Sequence, residues 1–123
     1  MAIYNKKIMD HFTNPKYFGR IDDPDVTGKA GNPRCGDLLT LYIKFDKKTK
    51  KIKEIKFETL GCASAIASSD MICQLAKGKT MEQALSIGFQ DVSTKLGTLP
   101  PLKIHCAQLV TEALKDAINK IIK

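Results

Sequence analysis

Near the C-terminus, apolar residues fall at Leu109, Val110, Ala113, Leu114, Ala117, Ile118, Ile121 and Ile122. Steps of three and four place all of them on one side of a helix that begins between Pro101 and Cys106. A helix that is apolar along one side has to cover an apolar surface elsewhere in the chain. The sequence offers one. Leu39, Leu41, Ile43 and Phe45 alternate with Thr40, Tyr42 and Lys44, and after a lysine-rich turn Ile55 and Phe57 alternate with Glu54, Lys56 and Glu58. Period-two alternation predicts two half-buried strands, and the turn Asp46–Lys51 between them predicts an antiparallel hairpin with one apolar face. Ile52 is out of phase with Ile55 and Phe57, so the second strand is expected to open with a bulge or to begin later.

Weaker signals fill in the rest. Tyr4, Ile8 and Phe12 share one face of a short helix over 3–12, stopped by Asn14-Pro15. Residues 13–36 are rich in Gly and Pro, with a short strand expected at Asp25–Lys29. Ala63–Ala76 reads as a helix packing through Ile66, Ile72, Cys73, Leu75 and Ala76, with Gly78 as its C-terminal stop. Thr80-Met81-Glu82-Gln83 fits a capping box for a helix ending near Gly88. Asp91 is expected to cap a further turn or two, ended by Gly97, and Leu99–Lys103 to be stiff and extended. Strands first and helices after predict an α+β fold: a small antiparallel three-stranded sheet, helices packed mainly on one face, and a long C-terminal helix. At 123 residues the chain is expected to be a single domain over 1–123, with residues 1–25 its mobile part.

Charge narrows the function classes. The net charge is +7, but Arg20 and Arg34 are the only arginines, and much of the lysine surrounds the hairpin turn. Arginine is the usual reader of phosphates and bases, so nucleic acid is not the expected partner. Lysines at a turn guard strand edges, and an acidic partner docking elsewhere stays open. No apolar run is long enough to span a membrane. The N-terminus lacks the apolar core of a secretory signal. The expected compartment is therefore reducing and cytoplasmic, and the four cysteines are expected to be thiols or metal ligands rather than disulfides.

Three of those cysteines occupy the ends of elements. Cys35 lies in Gly31-Asn32-Pro33-Arg34-Cys35-Gly36-Asp37, ahead of the first clear strand. Cys62 follows Gly61 at a strand-to-helix junction, and Cys106 follows Lys103 and His105 at the start of the last helix. Free backbone amides, helix N-termini and the cations Arg34 and Lys103 favour the thiolate there. A thiolate is a soft-metal ligand and a nucleophile. Cys73 differs: it is eleven residues beyond Cys62, about three turns or roughly 16 Å along a helix, so one metal cannot use both. It is expected to be a buried apolar residue, and His11, far from these motifs, a structural one. The cysteine spacings match no local zinc signature. The metal assignment rests instead on glycine flanks, loop positions, Asp37 and His105.

The segment 31–37, the segment Gly61-Cys62-Ala63-Ser64-Ala65-Ile66-Ala67-Ser68-Ser69 and the segment Leu99-Pro100-Pro101-Leu102-Lys103-Ile104-His105-Cys106 closely resemble the IscU/NifU N-terminal family of iron–sulfur cluster assembly scaffolds. The likeness covers essentially the whole chain, including Tyr4, His11 and Asn14-Pro15. It implies a scaffold that assembles a [2Fe–2S] cluster from iron and desulfurase-derived sulfur and transfers it to apo iron–sulfur proteins, rather than a turnover enzyme. It implies Cys35, Cys62 and Cys106 as ligands, with Asp37 or His105 at or near the fourth position. It further implies Cys106 as persulfide acceptor, Lys103 as a neighbour exchanging partners with the site, and zinc as another occupant of the same residues. The expected partners are a cysteine desulfurase and an Hsp70-type chaperone system. The segment such a chaperone recognises corresponds to Leu99, Pro100, Pro101, Leu102 and Lys103, with Leu102 in place of the family's valine. The scaffold is expected as a monomer or dimer.

The ligand chemistry agrees with transfer. A cluster held for good is usually held by four thiolates, and here three cysteines can converge. A carboxylate is a hard ligand and a poor match for iron–sulfur chemistry, so one weak bond would let the cluster leave. Two other functions stay open on sequence alone: a structural zinc domain, and a thiol sulfur-relay protein with Cys106 as nucleophile and His105 as its base.

Overall fold

The computed structural model describes residues 6–32, 37–59, 63–97 and 104–122. In chain order the elements are α1 (Lys6–Thr13), β1 (Val26–Asn32), β2 (Asp37–Phe45), β3 (Ile52–Thr59), α2 (Ala63–Ala76), α3 (Met81–Leu85), α4 (Phe89–Lys95) and α5 (Ile104–Ile122). The sheet is antiparallel with β2 in the centre, in the order β1-β2-β3. Alternation sets its inner face: Leu39, Leu41 and Ile43 on β2 and Ile55 and Phe57 on β3 are all buried. Burying side chains of this size is worth about 1.5–3 kcal/mol each. The expected phase break is a bulge. Lys44 faces Glu54 but Phe45 faces Ile52, so Lys53 is the extra residue and Ile52 turns inward with the others.

β1 runs from Val26 to Asn32, further than the short strand expected at Asp25–Lys29. Its seven residues include Gly28, Ala30 and Gly31, whose lack of bulk hides the strand pattern. That small size has a structural cause. A methyl group on Gly28 would lie 2.1 Å from the Ala113 carbonyl oxygen and 2.7 Å from the Ala117 Cβ. The backbone of α5 therefore rests directly on β1.

The helices cover the inner face. α5 buries Val110, Ala113, Leu114, Ala117 and Ile118 against it, as the stripe predicts. Ala67, Met71, Ile72, Cys73 and Ala76 of α2 join the same core. α2 departs from a one-sided helix: every residue from Ala67 to Cys73 is buried, because α1, α4 and α5 pack around it as well as the sheet. Thr80 and Gln83 form the expected capping box on α3. Asp91 does not open α4. It lies in the first turn, and its carboxylate accepts the Gly88 N–H at 2.8 Å, which makes Gly88 the N-cap. Gly97, at φ +84°, follows the last turn of α4 as expected. Leu99–Lys103 lies outside the described residues.

Candidate metal centre

One end of the sheet gathers the ends of several elements. Asn32 closes β1 and Asp37 opens β2, and the two face each other across the ladder. Residues 33–36, which include Cys35, join them. β3 ends at Thr59 opposite Leu39, and the Thr59 hydroxyl donates to the Leu38 carbonyl at 2.7 Å. Cys62 is three residues further along the chain. β1, β2 and β3 thus end or begin together where both cysteine-bearing segments attach.

The direction of α5 brings a further element to that end. The Lys29 N–H donates to Asp116 Oδ2 at 3.0 Å, and Lys120 Nζ donates to the Thr27 carbonyl at 2.9 Å. Going up β1 is therefore going back along α5. From Lys29 to Asn32 is about 10 Å of strand. From Asp116 back to Cys106 is about 15 Å of helix. The first turn of α5, with His105 and Cys106, accordingly stands at the same end as Asn32 and Asp37. Cys106 is buried and forms no disulfide. It stays outside the contiguous hydrophobic cluster that takes in its neighbours Ala107 and Val110.

Of the residues the sequence singles out, Asp37, His105 and Cys106 are placed by elements that meet at one end. Cys35, Cys62, Lys103, Leu99, Pro100, Pro101 and Leu102 lie outside the described residues. Among the described residues no three His, Cys, Asp or Glu side chains approach closely enough to hold a metal ion. Cys73 is wholly buried within α2, and burial first, then the charge of Asp70, raises its thiol well above the ordinary value. It is a protonated core residue, neither a ligand nor a nucleophile.

His11 does have a chemical partner, which the sequence pattern did not single out. His11 Nδ1 is 2.5 Å from Asp70 Oδ2, and the Tyr17 N–H donates to Asp70 Oδ1 at 3.0 Å. Asp70 is the one charged residue of α2, and a lone acid in a run of Ala, Ser and Ile was the available signal. The pair lines a cavity of about 360 Å³ together with Asp10, Asn14, Lys16 and Gln74. It is anchored in the α1–α2 interface, and its carboxylate is occupied by donors from 11 and 17.

Comparison with known proteins gives the family and supports the fold. Residues 3–123 match the family described as the NifU-like N terminal domain. The iron-sulfur cluster assembly scaffold protein IscU 1 of Archaeoglobus fulgidus is 51% identical over 116 residues, covering 94% of this chain and 74% of that protein. The IscU scaffold protein of Aquifex aeolicus is 44% identical over 116 residues, with the same coverage of 94% and 74%. Among solved structures, FiSufU of Fervidobacterium islandicum AW-1 superposes with a TM-score of 0.77 at 29% identity, over 94% of this chain and 96% of that one.

Proposed function

This chain belongs to the NifU-like N-terminal domain family, and from that premise and the geometry above we infer that it is an iron–sulfur cluster assembly scaffold. The observation that supports the assignment is that Asp37 and the first turn of α5, which bears His105 and Cys106, stand at the same end of the sheet, where the segments of Cys35 and Cys62 attach. Three thiolates from three separate segments, with a carboxylate or imidazole as the fourth donor, suit a [2Fe–2S] cluster held as cargo. Zinc suits the same donors.

Each residue then has a task. Cys35, Cys62 and Cys106 hold the cluster through sulfur. Asp37 or His105 completes the set with a harder, more easily broken bond. Cys106, in the first turn of α5, receives sulfur as a persulfide from a cysteine desulfurase docked at this end, and Lys103 trades partners with the site. The Leu99–Lys103 segment is the contact offered to an Hsp70-type chaperone, and apo iron–sulfur proteins take the finished cluster. Cysteines kept as thiolate ligands need a reducing compartment, which supports the cytoplasm. Among the described residues no helix is long and apolar enough to cross a membrane.

A structural zinc domain fits less well. Twenty-two buried residues form one continuous core that leaves out Cys106, so the fold has apolar cohesion of its own. Anaerobic reconstitution with iron and sulfide tests the assignment. Optical and Mössbauer spectra of a [2Fe–2S] centre are expected, lost in Cys35→Ala, Cys62→Ala and Cys106→Ala. Unfolding on removal of zinc, with no cluster formed, would favour the structural zinc site instead.

A further inference from the structure

The turn joining β2 to β3 is at the other end of the sheet from Asp37. Lys47, Lys48, Lys50, Lys51 and Lys53 are all exposed there. The fold adds two lysines that are distant in sequence. Lys51 bridges to Thr80, the Ile52 N–H donates to the Lys79 carbonyl at 2.8 Å, and the Gly78 N–H donates to the Ile52 carbonyl at 2.8 Å. These bonds hold the α2–α3 loop against the start of β3 and bring the exposed Lys77 and Lys79 beside the turn.

Lys77 Nζ lies over the Tyr17 ring, 5.8 Å from its centroid, and the other six lysines of this pole are exposed. Among the described residues the lysine ion pairs are Lys44–Asp23 and Lys120–Asp116, and neither involves these seven lysines. Two nearby acids face the backbone, while Glu54 and Glu82 are exposed. Asp46 Oδ1 accepts the Lys48 N–H at 2.8 Å and the Thr49 N–H at 3.4 Å, and Asp25 Oδ2 accepts the Phe45 N–H at 2.7 Å. Lys50 adopts φ +62°, a left-handed conformation that glycine or asparagine takes with less strain, so a positive charge occupies the position least suited to it sterically. Next to the turn is a cavity of about 340 Å³. Phe45, Met81 and Ile121 line it together with Lys47, Lys50 and the two engaged aspartates.

We propose that this pole docks an acidic protein segment bearing an apolar side chain, with carboxylates meeting the lysines and the apolar group entering the cavity between Phe45, Met81 and Ile121. The cavity is what favours protein over nucleic acid, since a phosphate backbone has no side chain to fill it. The pole also lacks arginine, the side chain best shaped for phosphate. A membrane surface fits poorly, because the large exposed apolar residues Met9, Phe18 and Leu38 are all elsewhere and none inserts beside these lysines. β2 separates the pole from Asp37 by about 27 Å. A partner held here leaves the Asp37 end free for sulfur delivery or cluster transfer.

The test is equilibrium binding of the full chain to a fluorescent peptide of Asp and Glu with one central Leu. It is compared with the same peptide carrying Ser at that place, a DNA duplex, and phosphatidylserine vesicles. The Leu peptide should bind tightest and weaken as salt rises. Lys47→Glu combined with Lys50→Glu should weaken it about tenfold. Met81→Gln should abolish the preference for Leu over Ser, with thermal melting confirming that each variant is folded. Tighter binding of DNA or vesicles than of the peptide, or a peptide affinity unchanged in both variants, would overturn the proposal. No cluster is involved in the measurement, so its outcome is separate from that of the scaffold assignment.

Discussion

His11 on α1 and Asp70 on α2 meet at 2.5 Å across 59 residues of sequence, and Asp70 is almost wholly buried. Its second oxygen accepts the Tyr17 N–H, so one carboxylate secures both α1 and the segment leading away from it. Asp70→Ala should leave two donors without an acceptor and destabilise the chain by about 2–4 kcal/mol. His11→Ala should cost less, because its side chain keeps partial access to water. Urea unfolding of both single variants and the double variant would give the coupling between them. If the two effects simply add, the pair does not act as a unit.

Gly28 is fixed by contact rather than by backbone conformation. Its Cβ position is already occupied by the Ala113 carbonyl oxygen and Ala117, and backbone atoms cannot rotate away as a long side chain can. Gly28→Ala should therefore destabilise by about 1–3 kcal/mol through overpacking. Because α5 is anchored to β1 here, the same change should displace the first turn of α5 and lower cluster yield on reconstitution. A melting temperature equal to wild type would contradict the close packing.

Side-chain periodicity made the hairpin and α5 legible, because Leu41, Ile43, Phe57, Leu114 and Ile118 each announce a buried face. The out-of-phase Ile52 even located the bulge. β1 was only half visible, since Gly28, Ala30 and Gly31 pack by being small and carry no alternation signal. The stripe expected on α2 was incomplete for the opposite reason: a helix surrounded on all sides loses its polar face. Asp91 was misjudged because Asp is a good N-cap, while Gly88 caps without a side chain and lets Asp91 bond back to it. Asp37, His105 and Cys106 were visible from chemistry and flanking residues. That they share one end depends on the antiparallel course of α5 over β1, which no local pattern encodes.

Asp116 gives a pH signature to that same contact. The hydrogen bond from the Lys29 N–H, with Lys120 adding to it, holds the Asp116 carboxyl below its ordinary value of 3.8. A carboxylate with a lowered value in the folded state favours folding when ionised. Its contribution is complete above the ordinary carboxylate range and is lost as pH falls through the folded value. Asp116→Asn should thus be less stable than wild type at neutral pH and indistinguishable from it in strong acid. A stability gap that stays constant from neutral to acid pH would show that the charge is not what ties α5 to β1.

Asp37 opens β2 opposite Asn32, and as the proposed carboxylate ligand it is the bond expected to break first. Thiolates supply most of the affinity for iron, and a hard oxygen donor supplies the least. Asp37→Ala should therefore retain the cluster longer and pass it on more slowly, with His105 or an added thiol taking the vacant position. Asp37→Cys should go further, towards the four-thiolate arrangement of a permanent carrier. The measurement is the rate of transfer to an apo-ferredoxin under anaerobic conditions. Transfer as fast as wild type in both variants would leave Asp37 with a role at the start of β2 only. His105, one residue before Cys106 in the first turn of α5, would then be the weak ligand to replace next.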